Sequence, residues 1–340
     1  MAYLGYVQLT RQCMQSCVFC SNPPTGVELD LDGLRETLDR LAAAGCDGII
    51  LTGGEPTASP LLLPAIEEAA QRGLSVRLIT NGQLFADRQL LQECVSRGLG
   101  HVHLSLYSYR AEVHDAITRR PGSWRRATVC LAHIGELGIT CDINTVISTF
   151  NCDHLHETVA WLCQQYPFVR HVVWNNIDPS GERARGCLQV VPRLHQFEVS
   201  LELAMDLLER TGRSFRAERV PLCAMRRYGW ASTETRKIVK GEARTIRFLD
   251  ERGLWHQHRF AYDKASACAV CRFEPICAGI FMMGLVLQAE DISPVFEDPL
   301  EVVRRVLNRE PGVRELVRIG LASDPAAPVR VDRGERSANG

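Results

Sequence analysis

Six apolar runs alternate with amphipathic stretches along the first half of the chain, and this alternation limits the fold more than any other feature. The runs lie near residues 5–10, 47–52, 75–80, 101–106, 140–147 and 170–175, and the stretches near 30–44, 60–73, 87–97, 123–137 and 153–165. In the stretch 30–44, Leu31, Leu34, Leu38, Leu41 and Ala42 share one stripe at three-to-four spacing. Arg35, Glu36 and Arg40 fall largely outside it, and Gly45 follows as a C-cap. Strands separated by helices of this length pair in parallel as βαβ units. Six units are too few for a full eight-stranded barrel, and in parallel α/β barrels the reactive groups gather at the C-terminal ends of the strands.

Those strand ends carry distinctive residues. The first run, Tyr6-Val7-Gln8-Leu9-Thr10, leads into Cys13, Cys17 and Cys20, a C-x3-C-x2-C loop closed by the turn segment Asn22 to Gly26. Iron–sulfur clusters are normally held by four cysteines. Three thiolates on one loop can hold three irons of a [4Fe–4S] cube and leave the fourth open for chemistry. The second run, Gly48 to Leu51, leads to Gly53-Gly54-Glu55-Pro56. There the glycines let backbone come close to a ligand and Glu55 offers a carboxylate. The third ends in Thr80-Asn81-Gly82, and the fourth in Leu104-Ser105-Leu106-Tyr107-Ser108. The fifth carries Asn144-Thr145-Val146, and the sixth ends in Trp174-Asn175-Asn176-Ile177-Asp178-Pro179. Asn, Ser and Asp also cap helices and form turns, so each has a structural reading beside the functional one.

Together these segments resemble the signature of the radical S-adenosylmethionine (radical SAM) superfamily. The resemblance implies an α/β fold, a partial (β/α)6 TIM-type barrel. It implies a [4Fe–4S] cluster on Cys13, Cys17 and Cys20 with SAM beside it. By the same likeness Gly53, Gly54 and Glu55 meet the methionyl ammonium, Asn81 and Asn144 reach polar groups of SAM, Ser105 meets the ribose, and Phe19 packs on adenine. Tyr107 stands where relatives commonly have Asp, which takes the carboxylate from the fourth strand. No catalytic acid or base is assigned; Tyr107, Asn175, Asn176 and Asp178 are the catalytic candidates, the last three as groups that orient substrate. His101, His103 and His114 lie near strand ends without a visible partner, and Arg119 and Arg120 are either SAM-carboxylate ligands or a solvated loop.

A second cysteine set, Cys223, Cys268, Cys271 and Cys277, has the pattern C-x44-C-x2-C-x5-C. Four thiolates suit structural zinc or a fully ligated cluster. The ending, followed by Gly279, resembles the auxiliary-cluster domains called SPASM and twitch. With no cysteine after Cys277, the single-cluster twitch form, an auxiliary [4Fe–4S], is preferred over zinc. The expected organisation is a barrel core over 1–190, a helix at 194–211 leading into an auxiliary-cluster domain over 191–320, and a disordered tail over 321–340. Cys46, Cys94, Cys130, Cys141, Cys152, Cys163 and Cys187 are scattered and read as small hydrophobes.

Charge narrows the partners. The 39 basic and 40 acidic residues leave a net charge of −1 with no basic block, which disfavours long nucleic acids. The N-terminus has no secretory pattern. The apolar run from Ile280 to Leu287 is far shorter than the ~20 residues of a membrane span. A cytoplasmic location follows, where clustered cysteines mean metal or catalysis. The resemblance implies an enzyme that cleaves SAM reductively to a 5′-deoxyadenosyl radical, which takes a hydrogen atom from substrate. The auxiliary cluster would accept the leftover electron, in an oxidation or bond-forming reaction, or only position substrate in a redox-neutral one. A flavodoxin or ferredoxin would supply the electrons. Cys13 is read as leaving no room for a preceding peptide-recognition or cobalamin domain. A small natural-product metabolite, such as a sugar or nucleoside, is therefore the expected substrate. A ribosomally made peptide presented by a separate partner is the alternative. A non-catalytic iron–sulfur sensor or electron carrier is the reading from another class.

Overall fold

The computed structural model describes residues 3–22, 24–178, 186 and 188–323. Pro179, Cys187 and the expected tail from residue 324 onward lie outside the described residues. The chain opens with β1 (Leu4–Thr10), α1 (Leu31–Ala43), β2 (Gly48–Gly53), α2 (Leu62–Gln71), β3 (Ser75–Thr80) and α3 (Arg88–Ser96). It continues with β4 (Leu99–Ser105), α4 (Ala111–Thr118), α5 (Ser123–Leu137), β5 (Thr140–Val146), α6 (Leu155–Gln165) and β6 (His171–Asn175). All six expected strands and all five expected helices form. The short polar α4 is an addition that periodicity does not reveal. At the end of α1, Gly45 takes a left-handed φ of 77°. Its N–H donates to Ala42 O and that of Cys46 to Leu41 O, a Schellman closure that satisfies the last carbonyls.

Strands β1 to β6 lie side by side in chain order, every pair parallel. Alternation along each strand divides two environments. Val7, Leu9, Ile49, Leu51, Leu78, Val102, Leu104 and Ile143 are fully buried in the core with the helices. The intervening residues, among them Tyr6, Gln8, Thr52, His103, Asn144 and Asn175, face the concave side and line a cavity there. This is a partial TIM-type barrel.

The sheet does not stop at residue 190. After α7 (Leu194–Arg210), β7 (Ser214–Glu218) pairs parallel to β6. After α8 (Thr233–Lys240), β8 (Arg244–Arg247) pairs parallel to the outer edge of β1, and β9 (Leu254–Gln257) pairs antiparallel to β8. The full order is β7-β6-β5-β4-β3-β2-β1-β8-β9. Strands β7 and β8 therefore stand on the two sides of the open barrel. The Arg244 guanidinium crosses between them to the Glu218 carboxylate in a two-pronged pair of 3.0 and 3.1 Å. Burial opposes charge at Glu218, but Arg244 and Arg219 outweigh it and hold the carboxyl down at about 2. These strands escape a hydrophobicity reading because their inward residues, Arg216, Glu218 and Arg244, are charged.

The rest of the described chain holds α9 (Pro299–Leu307) and α10 (Val313–Arg318). Leu222, Val239, Phe273, Ile276, Val302, Val303 and Val306 form a second, smaller core there. Of the scattered cysteines, Cys46, Cys94, Cys130, Cys141 and Cys152 are buried within the main core. Among the described residues no helix is long and apolar enough to cross a membrane.

Removing one partner of a buried pair strands the other charge, at a cost of about 3–5 kcal/mol. Glu218→Ala should lower unfolding free energy by that order in denaturant titration. A Glu218→Met/Arg244→Met double substitution should recover most of the loss. Equal destabilisation by both would show that the pair does not carry the closure.

Candidate functional site

Two adjacent glycines fix the cysteine loop. As β2 ends, Gly54 N–H donates to Thr10 O and Glu55 N–H to Gln12 O, both at 2.7 Å. A Cβ on Gly53 would sit 2.4 Å from Thr10 O, and one on Gly54 2.2 Å from Gln12 O. Gly53 also holds φ at 128°, open to glycine alone at low cost. The glycines expected to admit a ligand thus also admit the loop itself. On the far side, Ser16 and Val18 N–H groups donate to Thr118 O and Ile117 O at the end of α4.

Held this way, Cys13, Cys17 and Cys20 are half-exposed in one cleft of about 260 Å³. Two N–H groups point at the Cys13 sulfur: Gln15 N donates to Cys13 Sγ at 3.4 Å and Asn81 Nδ2 at 3.6 Å. Burial pushes the thiols up, Cys13 to about 11 and Cys17 to about 12, and the neighbouring cysteines add to it. Only a bound cation would keep them as thiolates near neutrality. The donor set fits an iron–sulfur cluster with three protein ligands.

Glu55 is fully buried and its carboxylate is already engaged. Oε1 accepts from Thr57 N (3.1 Å), Thr57 Oγ1 (2.6 Å) and Thr80 Oγ1 (2.6 Å), and Oε2 accepts from Asn81 N (2.7 Å). Burial raises its pKa against these four bonds. The side chain ties the end of β2 to the end of β3, so Asn81 is positioned by Glu55.

Phe19, Gly53, Gly54, Glu55, Asn81, Ser105, Tyr107, Asn144, Asn175, Asn176 and Asp178 all join the three cysteines along this one cleft. Phe19 meets Tyr107 edge-on with centroids 5.1 Å apart, and Tyr107 stacks on His114 at 5.3 Å. Asn175 Nδ2 donates to Asn144 Oδ1 at 2.5 Å. Asn176 is buried and ties β6 to β7: its N–H donates to Glu218 O, while Oδ1 accepts from Ile177 N. Asp178 pairs with Arg219 at 3.3 Å. Arg119 and Arg120 end α4 and border neither this cleft nor the cavity beside it.

That neighbouring cavity, about 570 Å³, fills the barrel concavity and shares Asn144, Asn175, Asp178 and Arg219 with the cleft. Arg219, Glu218, Arg244 and Arg252 line it and went unnoticed in the sequence, since no motif surrounds them. The left-handed φ of 61° at Arg219 carries no sequence signal either. The second cysteine set also converges: Cys223, Cys268, Cys271 and Cys277 line one small apolar pocket. Gly279 N donates to Cys277 Sγ and Val295 N to Cys271 Sγ, both at 3.3 Å.

Two outcomes follow. Gly54→Ala must displace the cysteine loop; it should lose most of its iron on reconstitution and about 1–3 kcal/mol of stability through overpacking. Gly100→Ala, with open space around it, should keep both; iron retained by Gly54→Ala would refute the contact. His114 has its pKa lowered by burial to about 4. Between the unfolded value near 6.5 and that figure, the unfolded chain binds the extra proton. Stability from this group is therefore lost as pH falls, and His114→Gln should shallow the acid limb of a stability–pH curve.

Residues 7–162 match the sequence profile of the Radical SAM superfamily. A PqqA peptide cyclase of Ruegeria pomeroyi is 32% identical over 156 residues, 45% of this chain and 41% of the relative. An AdoMet-dependent heme synthase of Methanosarcina barkeri is 29% identical over 156 residues, 44% of each chain. The matched stretch is less than half the length of either relative. In fold, the chain is similar to Streptococcus suis SuiB bound to precursor peptide SuiA (TM-score 0.54, 15% identity, 66% of this chain and 51% of that one). It is also similar to anSMEcpe with bound AdoMet and a Kp18Cys peptide (TM-score 0.51, 16% identity, 63% of each). The profile runs from β1 into α6, through the cysteine loop, the Gly-Gly-Glu turn and the ends of β3, β4 and β5, so this stretch of the chain is similar to the radical SAM superfamily.

Proposed function

We propose that this enzyme modifies a peptide by radical chemistry. The observation that carries the reading is the convergence of groups from the ends of β1 to β6 on one cleft that opens into a larger, charged cavity. Cys13, Cys17 and Cys20 hold the cluster. Asn81, Ser105, Asn144 and the Gly53-Gly54 backbone surround SAM, with Phe19 against its adenine. When bound, cluster and SAM supply a 5′-deoxyadenosyl radical that removes a substrate hydrogen atom. The chain's part is to orient substrate and exclude water, for which Asn175, Asp178 and Arg219 stand where cleft and cavity meet. Tyr107 and Asn176, both buried, brace the walls rather than reach out. A flavodoxin or ferredoxin remains the expected electron donor.

The similar proteins favour the peptide over the sugar or nucleoside. One is named for cyclising the PqqA peptide, and two solved structures hold peptides. The cavity suits a chain with charged side groups, since the pairs Arg219–Asp178 and Arg244–Glu218 form its wall beside Arg252 and Asp250.

Cys223, Cys268, Cys271 and Cys277 are assigned to an auxiliary [4Fe–4S] cluster that accepts the electron left on the substrate, within a unit over 191–320. The reading is supported by backbone N–H groups directed at two of the sulfurs, an arrangement that tunes cluster potential. It is supported too by Arg219, which borders the first cleft and also a crevice shared with Cys277.

Anaerobically reconstituted protein should hold about eight irons per chain, and about four after Cys13, Cys17 and Cys20→Ala. Dithionite-reduced protein should make 5′-deoxyadenosine from SAM, which a sensor or carrier would not. Cys268→Ala/Cys271→Ala should keep that cleavage yet yield no modified peptide. Four irons with zinc in the wild type would overturn the auxiliary cluster and leave the radical chemistry standing.

A further inference from the structure

His101 and His103 on β4 and Asp142 on β5 meet inside the barrel, below the cleft. The two imidazoles lie parallel, with centroids 4.4 Å apart and planes within 17°. One oxygen, Asp142 Oδ2, stands 2.8 Å from His101 Nε2 and 3.3 Å from His103 Nδ1. His101 Nε2 is nonetheless buried without a hydrogen-bond partner, as is His103 Nε2. Asp142 Oδ2 is thus within ion-pair distance of both imidazoles, while His103 Nε2 is left without a partner. Two nitrogens and an oxygen this close can also serve one cation, each lone pair then pointing at the metal between them. Ligands about 2.0–2.1 Å from a tetrahedral ion are themselves about 3.3 Å apart, the separation of His103 Nδ1 from Asp142 Oδ2; the shorter His101–Asp142 contact would open slightly on binding. One donor atom from each of the three residues can be chosen so that all lie within 4.8 Å of one another.

We propose that His101, His103 and Asp142 bind a divalent transition cation through nitrogen and oxygen alone, with its remaining positions facing the substrate cavity. His103 borders that cavity, so the ion would hold a carbonyl or carboxylate oxygen of the substrate from below as a Lewis acid. Two histidines and one carboxylate suit zinc, cobalt or iron(II). Burial keeps His103 neutral, lowering its pKa to about 3, which is the protonation state a ligand needs. His171 lies opposite Asp142 on β6 with its Nδ1 2.7 Å from Ser214 Oγ and stands outside the three-residue set. The site is independent of the auxiliary-cluster reading.

The test is a Co2+ titration of anaerobically reconstituted holoenzyme, whose thiolates are occupied by iron. A His256→Ala/His258→Ala background removes the histidine pair on β9 and just after it. The expected result is one Co2+ per chain with ligand-field absorption, no thiolate-to-cobalt charge transfer, and competition by Zn2+. His103→Ala and Asp142→Asn should each weaken binding by a hundredfold or more, given that even outer partners of a metal site cost about 10–100-fold. Absence of stoichiometric uptake, a thiolate band, or uptake indifferent to both substitutions would overturn the site. If either variant fails to fold, pulsed EPR of the Co2+-loaded background protein decides: coupling to two imidazole nitrogens supports the site, and its absence refutes it.

Discussion

The contact between the end of β2 and the loop after β1 governs the rest of the site. Gly54 and Glu55 donate to Thr10 O and Gln12 O, and they can do so only because no Cβ stands at 53 or 54. The cysteine loop is thereby fixed in backbone before any cofactor contributes. Glu55 continues the arrangement inward, its two oxygens gathering Thr57, Thr80 and Asn81. One turn thus registers the first three strand ends against one another. A misplacement of about 1 Å at this point would spread to the whole first cleft, where reactive geometry tolerates little error.

A second constraint acts across the mouth of the barrel. An open parallel sheet leaves two edges, and here β7 and β8 bring the partners Glu218 and Arg244 together inside the concavity. Charge at this depth is costly unless paired. Pairing also explains why the cavity is lined by balanced ions rather than by the aliphatic layers that fill a closed barrel. Directly after β7 stands Arg219, whose guanidinium packs over the Phe281 ring at 4.9 Å while its side chain meets Asp178. Cleft, cavity and second cysteine region meet at this one residue.

Legibility in sequence followed the kind of signal each element carries. The strand over 75–80 and the helix over 123–137 were read at the boundaries the structure has, because each shows a clean period with a turn at both ends. The strands β7, β8 and β9 were not read: Ser-Phe-Arg-Ala-Glu and Arg-Thr-Ile-Arg are short and charged on the face that points inward. The boundary drawn at 190 therefore falls between strands of a single sheet. Among candidate site residues, Cys13, Asn81 and Asn144 sit in recognisable local segments and border one cleft. Arg219 and Glu218 have no such segment, and the four internal bonds of Glu55 leave no trace in the sequence.

What the sequence determined by itself is local: the alternation that sets a parallel sheet, the thiol spacing on one loop, and the Gly-Gly-Glu turn. These are short-range patterns, each decided by backbone sterics or side-chain period within a dozen residues. Only the tertiary structure decided that Arg244 reaches Glu218 across the barrel mouth, that Asn175 bonds Asn144, and that two histidines of β4 face a carboxylate of β5. Such meetings depend on strand register and on chain closure over tens of residues, and neither leaves a periodic trace in the order of the amino acids.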